Sequence, residues 1–485
     1  MTRRLRRRAW VASSVLIATG VVIATLLGGC VLPPKDARRE PVIDARELGL
    51  TAAEVTPAGE QWWKALEDAQ LDALIEQALA ANPSLIQATA QLRVAEAAVE
   101  ASNAGLYPRA KFSGSALRQH APENYIIPPP LAGSDFWMAQ VGATLSWDID
   151  FWGRQADAVA QTRDLAGAAD FERESARLLV AATLVQAYVG LYRADALVDI
   201  AVQSEGQRQH ILDLTRQRVA AGLDTRLELR EAESELPQAR VERAQAQTQA
   251  DLAVHALAML AGRGADGYAG ISRPQLNPDA VLPLPEQLPI NLLARRPDVL
   301  AARLRVEGAD AQRRAARAAF YPDVSITALA GVASFGLNNL FQANARGFGV
   351  GPVVSLPLFD AGKLRAQYQG SEAAIDSAIA LYNDTVLRAV QQSADELSRI
   401  DALTRERIDQ QATLEAAEDG YRIAEERYRA GLAGYLSVLS AETQVLSARR
   451  QRVQIVSDLA LARVNLLLQL GGSFDPQKHA SRMSP

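Results

Sequence analysis

The stretch GATLSWDIDFWG, Gly142 to Gly153, decides how this chain is read. Taken in steps of two from Trp137, the odd positions are Trp137, Ala139, Val141, Ala143, Leu145, Trp147, Ile149 and Phe151. Those between them include Gln140, Gly142, Thr144, Ser146, Asp148 and Asp150. That alternation is a strand with one apolar and one polar face. It lies in a chain otherwise rich in Ala, Leu, Glu, Arg and Gln, the residues of long helices.

The strand occurs twice. From Phe348 the even positions are Phe348, Val350, Pro352, Val354, Leu356 and Leu358, each 209 residues beyond an odd position of the first stretch. The same offset sets VAAGLDTRLELREAES (from Val219) on YRAGLAGYLSVLSAET (from Tyr428), so that Gly222 falls on Gly431, and it sets Gly153 on Gly362 and Gly262 on Gly471. Upstream the offset is 214, with Pro83 on Pro297 and Tyr107-Pro108 on Tyr321-Pro322. Five residues are therefore lost between Pro322 and Ser355, inside a hairpin loop. A period this long is a duplicated domain, far beyond any solenoid repeat. Helices that pair along their length admit no inserted residue, because each insertion turns every later side chain by about 100°.

Each half then predicts a helix from a proline (Pro83 to Ala104, Pro297 to Ala319), two strands, and a long Ala-rich helix, from Gly153 to about Gln203 and from Gly362 to about Ala402. The second half's first strand alternates as well (Val324, Ile326, Ala328, Ala330, Val332), whereas Arg109 to Gln119 carries Phe112 as its one large apolar side chain at an even position. The aromatics Trp137, Trp147, Phe151, Trp152 and Phe348 suit the interfacial girdle of membrane strands. A soluble four-stranded sheet against helices would show the same alternation. Four strands do not close a barrel in lipid, so the membrane reading requires an oligomer, and three chains supply twelve strands.

The amino terminus favours the membrane. Five arginines (Arg3, Arg4, Arg6, Arg7, Arg8), an apolar run from Trp10 to Leu27 and LLGGC describe a secretory signal over residues 1–29. Cys30, the one cysteine of the chain, lies where cleavage would leave it first, a position that resembles a bacterial lipobox; an uncleaved membrane anchor is the alternative. Val31 after that cysteine, by the sorting rule of such lipoproteins, suits passage to the outer membrane. Without residues 1–29, 46 basic face 56 acidic residues, a net charge of −10 that favours no nucleic-acid partner. A lone cysteine excludes a disulfide framework or cysteine-based metal site.

From about Trp62 to Gly472 the chain resembles the outer-membrane factors of bacterial tripartite efflux pumps, the TolC-like channels, in their lipoprotein branch of NodT or fusaric-acid-resistance type. WWKALEDAQLDALIEQALAANPSL, LSWDIDFWGR, LLARRPDVLAARLRV, PLFDAGKLRA and RYRAGLAGYLSVLSAE carry the likeness. It implies a mainly α fold with membrane β: a trimer with a twelve-stranded outer-membrane barrel continued by a long periplasmic α-helical barrel. A belt of mixed structure is expected around that helical barrel, near Gly222 and Gly431 and the chain ends. The implied partners are a periplasmic adaptor and an inner-membrane transporter, and the implied function is a passive exit duct for drugs or other small toxic compounds. The family's periplasmic tip closes on an acidic ring, and by its distance from Gly362 Asp395 takes that gating place. Offset 209 sets Gln186 opposite it, so one hairpin per chain would carry the acid. The plain reading of Asp395, beside Glu396, is a solvated surface charge.

The expected divisions are a signal peptide (1–29), a lipidated linker (30–60), a first repeat (61–275, hairpin about 109–152, equatorial segment about 221–235), a second repeat (285–472, hairpin about 322–360, equatorial segment about 430–444) and a tail (473–485). Linker and tail read as extended or disordered.

No catalytic constellation and no cofactor or metal site is expected. His120, His210, His255 and His479 are scattered, without a second histidine at ligand spacing. GFGVG at Gly347 lies within a strand and lacks the strand-loop-helix order of a dinucleotide loop. The competing class, a periplasmic scaffold or adaptor lipoprotein without a pore, needs no strands with an exposed apolar face.

Overall fold

The chain is seen in a computed structural model that describes residues 39–43, 48, 59, 61–124, 126–278, 295–476 and 479. Cys30 and the signal segment lie outside the described residues. The elements follow in the order α1 (Ala69–Ala81), α2 (Pro83–Asn103), β1 (Arg109–His120), β2 (Asp135–Ile149), α3 (Arg154–Ala220) and α4 (Arg226–Leu260). They are followed by α5 (Pro297–Ala318), β3 (Asp323–Phe335), β4 (Arg346–Ser355), α6 (Lys363–Arg429) and α7 (Tyr435–Gln469). The duplication is plain in these bounds: α3 and α6 have 67 residues each and α4 and α7 have 35 each, and both pairs are displaced by 209.

The described residues form two compact units, one within Met1–Pro41, Arg93–Ala168 and Arg303–Leu381, the other within Val42–Leu92, Ala169–Ala302 and Tyr382–Pro485. The first holds one antiparallel sheet of order β1-β2-β3-β4, built from two hairpins. Arg109 pairs with Ser146 in the first hairpin and Asp323 with Ser355 in the second, so the five-residue difference falls between paired strands. Asp150 accepts the amide of Ala156 at 2.7 Å, and Asp360 those of Gly362 and Leu364 at 3.0 and 2.7 Å. These bonds satisfy the free donors at the starts of α3 and α6.

The second unit is helical. Asp68 caps α1 by accepting from Gln70 N and Leu71 N, and it also takes the Tyr188 hydroxyl at 2.7 Å and the Gln275 amide at 2.7 Å. Around this knot lies a core of Trp62, Trp63, Leu71, Ile75, Leu184, Tyr188, Leu257 and Val464. Burial and the bond to Asp68 push the Tyr188 phenol well above its ordinary range. Among the described residues α3 is one helix long and apolar enough to cross a bilayer by composition, but its Leu184, Val185 and Leu191 are buried in this core.

Arg296, just before α5, explains the RRPDV motif. Its guanidinium holds Asp298 through two bonds (3.0 and 2.7 Å) and the carbonyl of Gln469 at 3.0 Å, so it ties the start of α5 to the end of α7. Beside this point, a Cβ on Gly471 (φ 87°) would lie 2.5 Å from the Arg295 carbonyl oxygen. Only glycine permits so close an approach.

Three expectations are corrected. The long helices do not end near Gln203 and Ala402 but run on to Ala220 and Arg429, because the interior glycines Gly206 and Gly420 keep helical backbone and the chain first turns left-handed at Gly222 and Gly431. Each is about 100 Å long. Among the described residues no mixed equatorial structure surrounds those glycines, since α4 and α7 begin within four residues of them. The tail is not extended throughout: Phe474 is buried edge-on against Phe171, and His479 lies 2.5 Å from Asp170. In the linker, Arg39 pairs with Asp310 at 2.9 Å.

Candidate functional site: an apolar strand face and two paired helical turns

The register of the sheet sorts its side chains. Trp147 stands opposite Ile326 and Ile326 opposite Pro352; Leu145, Ala328 and Val350 form the next row, then Phe112, Ala143, Ala330 and Phe348, then Val141 and Val332. Every apolar position of the alternating pattern therefore falls on one face. The other face carries Arg109, Lys111, Ser113, Gln140, Gly142, Thr144, Ser146, Ser325, Thr327, Gly347, Gly349 and Gly351. In a water-soluble sheet the apolar face would be covered. Here Phe348 is 90% exposed and Val350 78% exposed, with Trp137, Leu145, Trp147 and Val354 also open. An apolar face of this extent, alternating with small and polar residues, is what lipid selects on a strand.

The aromatics fall at the ends of the strands. Trp137 lies near one end of β2 on the apolar face. Toward the other, Trp147 donates its indole N–H to the Leu106 carbonyl at 3.0 Å. Phe151 and Trp152 lie past the end of β2, both exposed; Trp152 stacks on Tyr321 at 4.7 Å and donates to the Pro322 carbonyl at 2.9 Å. Trp137 and Trp147 are ten positions apart on one strand. With strand tilt that spacing marks a band about 25 Å tall, the height of the apolar belt of a membrane barrel. Among the described residues β1 and β4 have no second partner strand, and both edges of the sheet stay open.

At the far ends of α3 and α6 the chain turns back on itself twice in the same way. Gly222 (φ 72°) and Gly431 (φ 77°) adopt the left-handed conformation. That conformation ends a helix. Gly222 N bonds Val219 O at 3.0 Å and Leu223 N bonds Arg218 O at 2.9 Å; Gly431 N bonds Tyr428 O at 3.0 Å and Leu432 N bonds Arg427 O at 2.8 Å. Thr225 restarts the chain as α4 with a capping box to Glu228. Leu223 and Leu227, and their repeats Leu432 and Leu436, are left exposed around the turns.

The two turns are locked together by contacts that the repeat does not share, although Arg427 repeats Arg218. Arg218 and Asp224, each with 8% of its side chain exposed, form a double bond pair at 2.8 and 3.0 Å. Arg218 also donates to the Tyr428 carbonyl at 2.6 Å and lies over its ring at 4.5 Å, within cation–π range. The Tyr428 hydroxyl donates to Asp224 at 2.6 Å and sits 2.9 Å from Thr215 Oγ1. The Arg218 bonds hold the Asp224 carboxyl below its ordinary range, and burial, with the bond to Asp224, pushes Tyr428 up to about 12. At the repeated positions stand Arg427, exposed, and Val219, so pattern alone gave no signal of this lock.

Asp395 is not at either turn. It lies exposed within α6, its carboxylate 3.4 Å from Gln391 Nε2. About 50 Å of helix separates it from Arg429 at the end of α6. The structure thus places Asp395, expected at the gate, within the body of α6 and away from the turn at Gly431. Gln186, its repeat, instead donates to Asn465 Oδ1 at 2.6 Å.

Residues 74–263 and 288–472 match the outer membrane efflux protein family. The chain belongs to that family. It is 30% identical over 426 residues to the multidrug resistance outer membrane protein MdtP of Escherichia coli K12, covering 85% of this chain and 87% of that one. It is 35% identical over 376 residues to the fusaric acid resistance protein FusA of Burkholderia cepacia, covering 73% and 69%. The crystal structure of the outer membrane protein VceC from Vibrio cholerae is similar at 32% identity and a TM-score of 0.81, over 87% of this chain and all of that one. The chain is thus an outer-membrane efflux channel protein with a TolC-like fold that spans into the periplasm.

Proposed function

We propose that this chain is the outer-membrane exit duct of a tripartite efflux system, assembled as a homotrimer. The observation that carries this reading is the sheet: four strands with a bare apolar face and two open edges. Open edges are not tolerated in lipid, and β4 of one chain pairing with β1 of the next closes twelve strands from three chains. Trp137 on one side and Trp147, Phe151 and Trp152 on the other form the interfacial girdles, with Phe348 in the lipid-facing band. The duct is not an enzyme: its work is to give small toxic compounds or drugs a path, while a transporter in the inner membrane supplies the energy. Cys30 is lipidated after removal of residues 1–29 and adds an anchor to the barrel.

The paired turns are the periplasmic end. Leu223, Leu227, Leu432 and Leu436 offer the adaptor a duplicated apolar contact, and the Arg218–Asp224–Tyr428 lock holds the two hairpins of each chain together until the adaptor parts them. Native mass spectrometry of the detergent-extracted, lipidated protein tests the assembly: a trimer is expected, and a stable monomer that keeps its β-signal in lipid would overturn it. Drug susceptibility of a deletion strain complemented with Leu227→Glu/Leu436→Glu tests the docking surface. Loss of resistance with the trimer intact is expected, and full resistance would remove the turns from adaptor contact.

A further inference from the structure

Between the two hairpins, one arginine faces three carboxylates. Arg208 of α3, with 11% of its side chain exposed, bonds Glu442 of α7 at 3.1 Å and Glu235 of α4 at 3.2 Å, and lies 3.9 Å from Glu242 of α4. Arg450 of α7 reaches Glu242 at 2.9 Å. Two cations thus meet three acids, and the innermost acid, Glu442, is only 3% exposed. Tyr421 of α6 and Tyr435 of α7 feel its charge; Glu425 and Arg449 act on Tyr421, and Glu231 on Tyr435, from the next layer out. Among the described residues no second cation is bonded to Glu442.

The cluster sits at a weak point of α4. Pro237 has no N–H to offer the Glu233 carbonyl, so one rung of the helix is missing. Arg208 also donates to the Glu235 carbonyl at 3.2 Å, beside that gap. The repeat of Pro237 is Leu446, so only the first hairpin has this break. A buried carboxylate with a shared cation is costly while ionised, and separation of the hairpins would hydrate it.

We propose that Glu442 is a proton-operated lock between the two hairpins: protonated, it lets them close over a neutral cluster, and ionised, it biases them apart at the Pro237 break. Burial outweighs Arg208 and lifts the Glu442 carboxyl above its ordinary range. The sign follows by linkage: the closed form binds the proton more tightly than a form with Glu442 in water, so acid favours closure. This rests on reading the paired hairpins as the wall of the duct.

The test uses the full-length lipidated trimer and two readouts. In planar bilayers, wild-type conductance is expected to fall about threefold from about pH 7.5 to about pH 5.5, and Glu442→Gln to stay at the low level at both. In lipid nanodiscs, amide exchange across residues 229–241, corrected for the intrinsic effect of pH, is expected to slow about threefold in acid for the wild type and to be slow throughout in the variant. Glu235→Gln, which removes an outer carboxylate, keeps the response and serves if Glu442→Gln does not fold. A pH response of exchange unchanged in Glu442→Gln, or lost in Glu235→Gln, overturns the lock. Absent conductance beside the expected exchange pattern would fault the duct and leave the lock standing.

Discussion

A charge placed on β4 distinguishes a membrane strand from a soluble one. Val350 and Gly349 are neighbours on the same strand but point to opposite faces: Val350 stands opposite Ala328 in the row of Leu145, and Gly349 opposite Leu329. A side chain at Gly349 would make ordinary contact with Leu329 at 3.8 Å, so space does not decide the comparison. With the apolar face in lipid, Val350→Arg costs about 2–4 kcal/mol per chain near the bilayer centre, and Val354→Arg, close to the end of the strand, about 0–1 kcal/mol. A trimer feels the change three times, or about 6–12 kcal/mol for Val350→Arg. Gly349→Arg, facing water, should cost under about 1 kcal/mol. Urea unfolding in lipid vesicles, followed by tryptophan fluorescence, gives the three values. Equal costs for Val350→Arg and Gly349→Arg, or no dependence on position along β4, would refute the assignment of faces.

Other predictions concern the turns and their supports. Tyr428→Phe removes a hydroxyl bonded to a buried carboxylate and should cost about 1–3 kcal/mol, whereas Asp224→Ala strands buried Arg218 and should cost about 3–5 kcal/mol; calorimetry that ranks them the other way would mean the hydroxyl, not the ion pair, carries the lock. Because Asp224 is held below its ordinary range, its contribution is complete above about pH 4 and fades as the pH falls through the lower folded value. Acid melting curves of the wild type should show that loss, and those of Asp224→Asn should not. Gly471→Ala drives a Cβ to 2.5 Å from the Arg295 carbonyl, whereas at Gly431 the nearest atom is a movable Arg218 nitrogen at 3.7 Å. Gly431→Ala should therefore cost only the left-handed strain, about 1–2 kcal/mol, and Gly471→Ala far more. Similar melting shifts for the two would contradict the close approach.

The period-two stretches from Trp137 and Phe348 were legible because side chains on an unbulged strand alternate, and the unbroken register put those positions on a single face. The duplication was equally open to reading, since paired helices preserve their phase. Where α3 and α6 stop was not legible: polar residues near Gln203 look like an ending, but nothing there breaks a helix, and the stop is set by a left-handed glycine further on. For the same reason the distance of Asp395 from the turn at Gly431 was not legible: α6 runs on to Arg429, well beyond it. The lock of Arg218, Asp224 and Tyr428 was hidden by the repeat itself. Alignment pairs Tyr428 with Val219 and Arg218 with an exposed arginine, and the asymmetry has meaning only once two hairpins face each other. Glu442 likewise reads as one more helical acid until Arg208 is found beside it.

The central claim, that three copies of this chain close a membrane pore, is tested most directly by the conductance of the purified lipidated protein in planar bilayers. The account predicts discrete insertion steps from a trimer, with a small conductance that rises when Tyr428→Phe and Asp224→Asn are combined and the hairpins are freed. A protein that remains water-soluble once delipidated and never yields a step in the bilayer would contradict it.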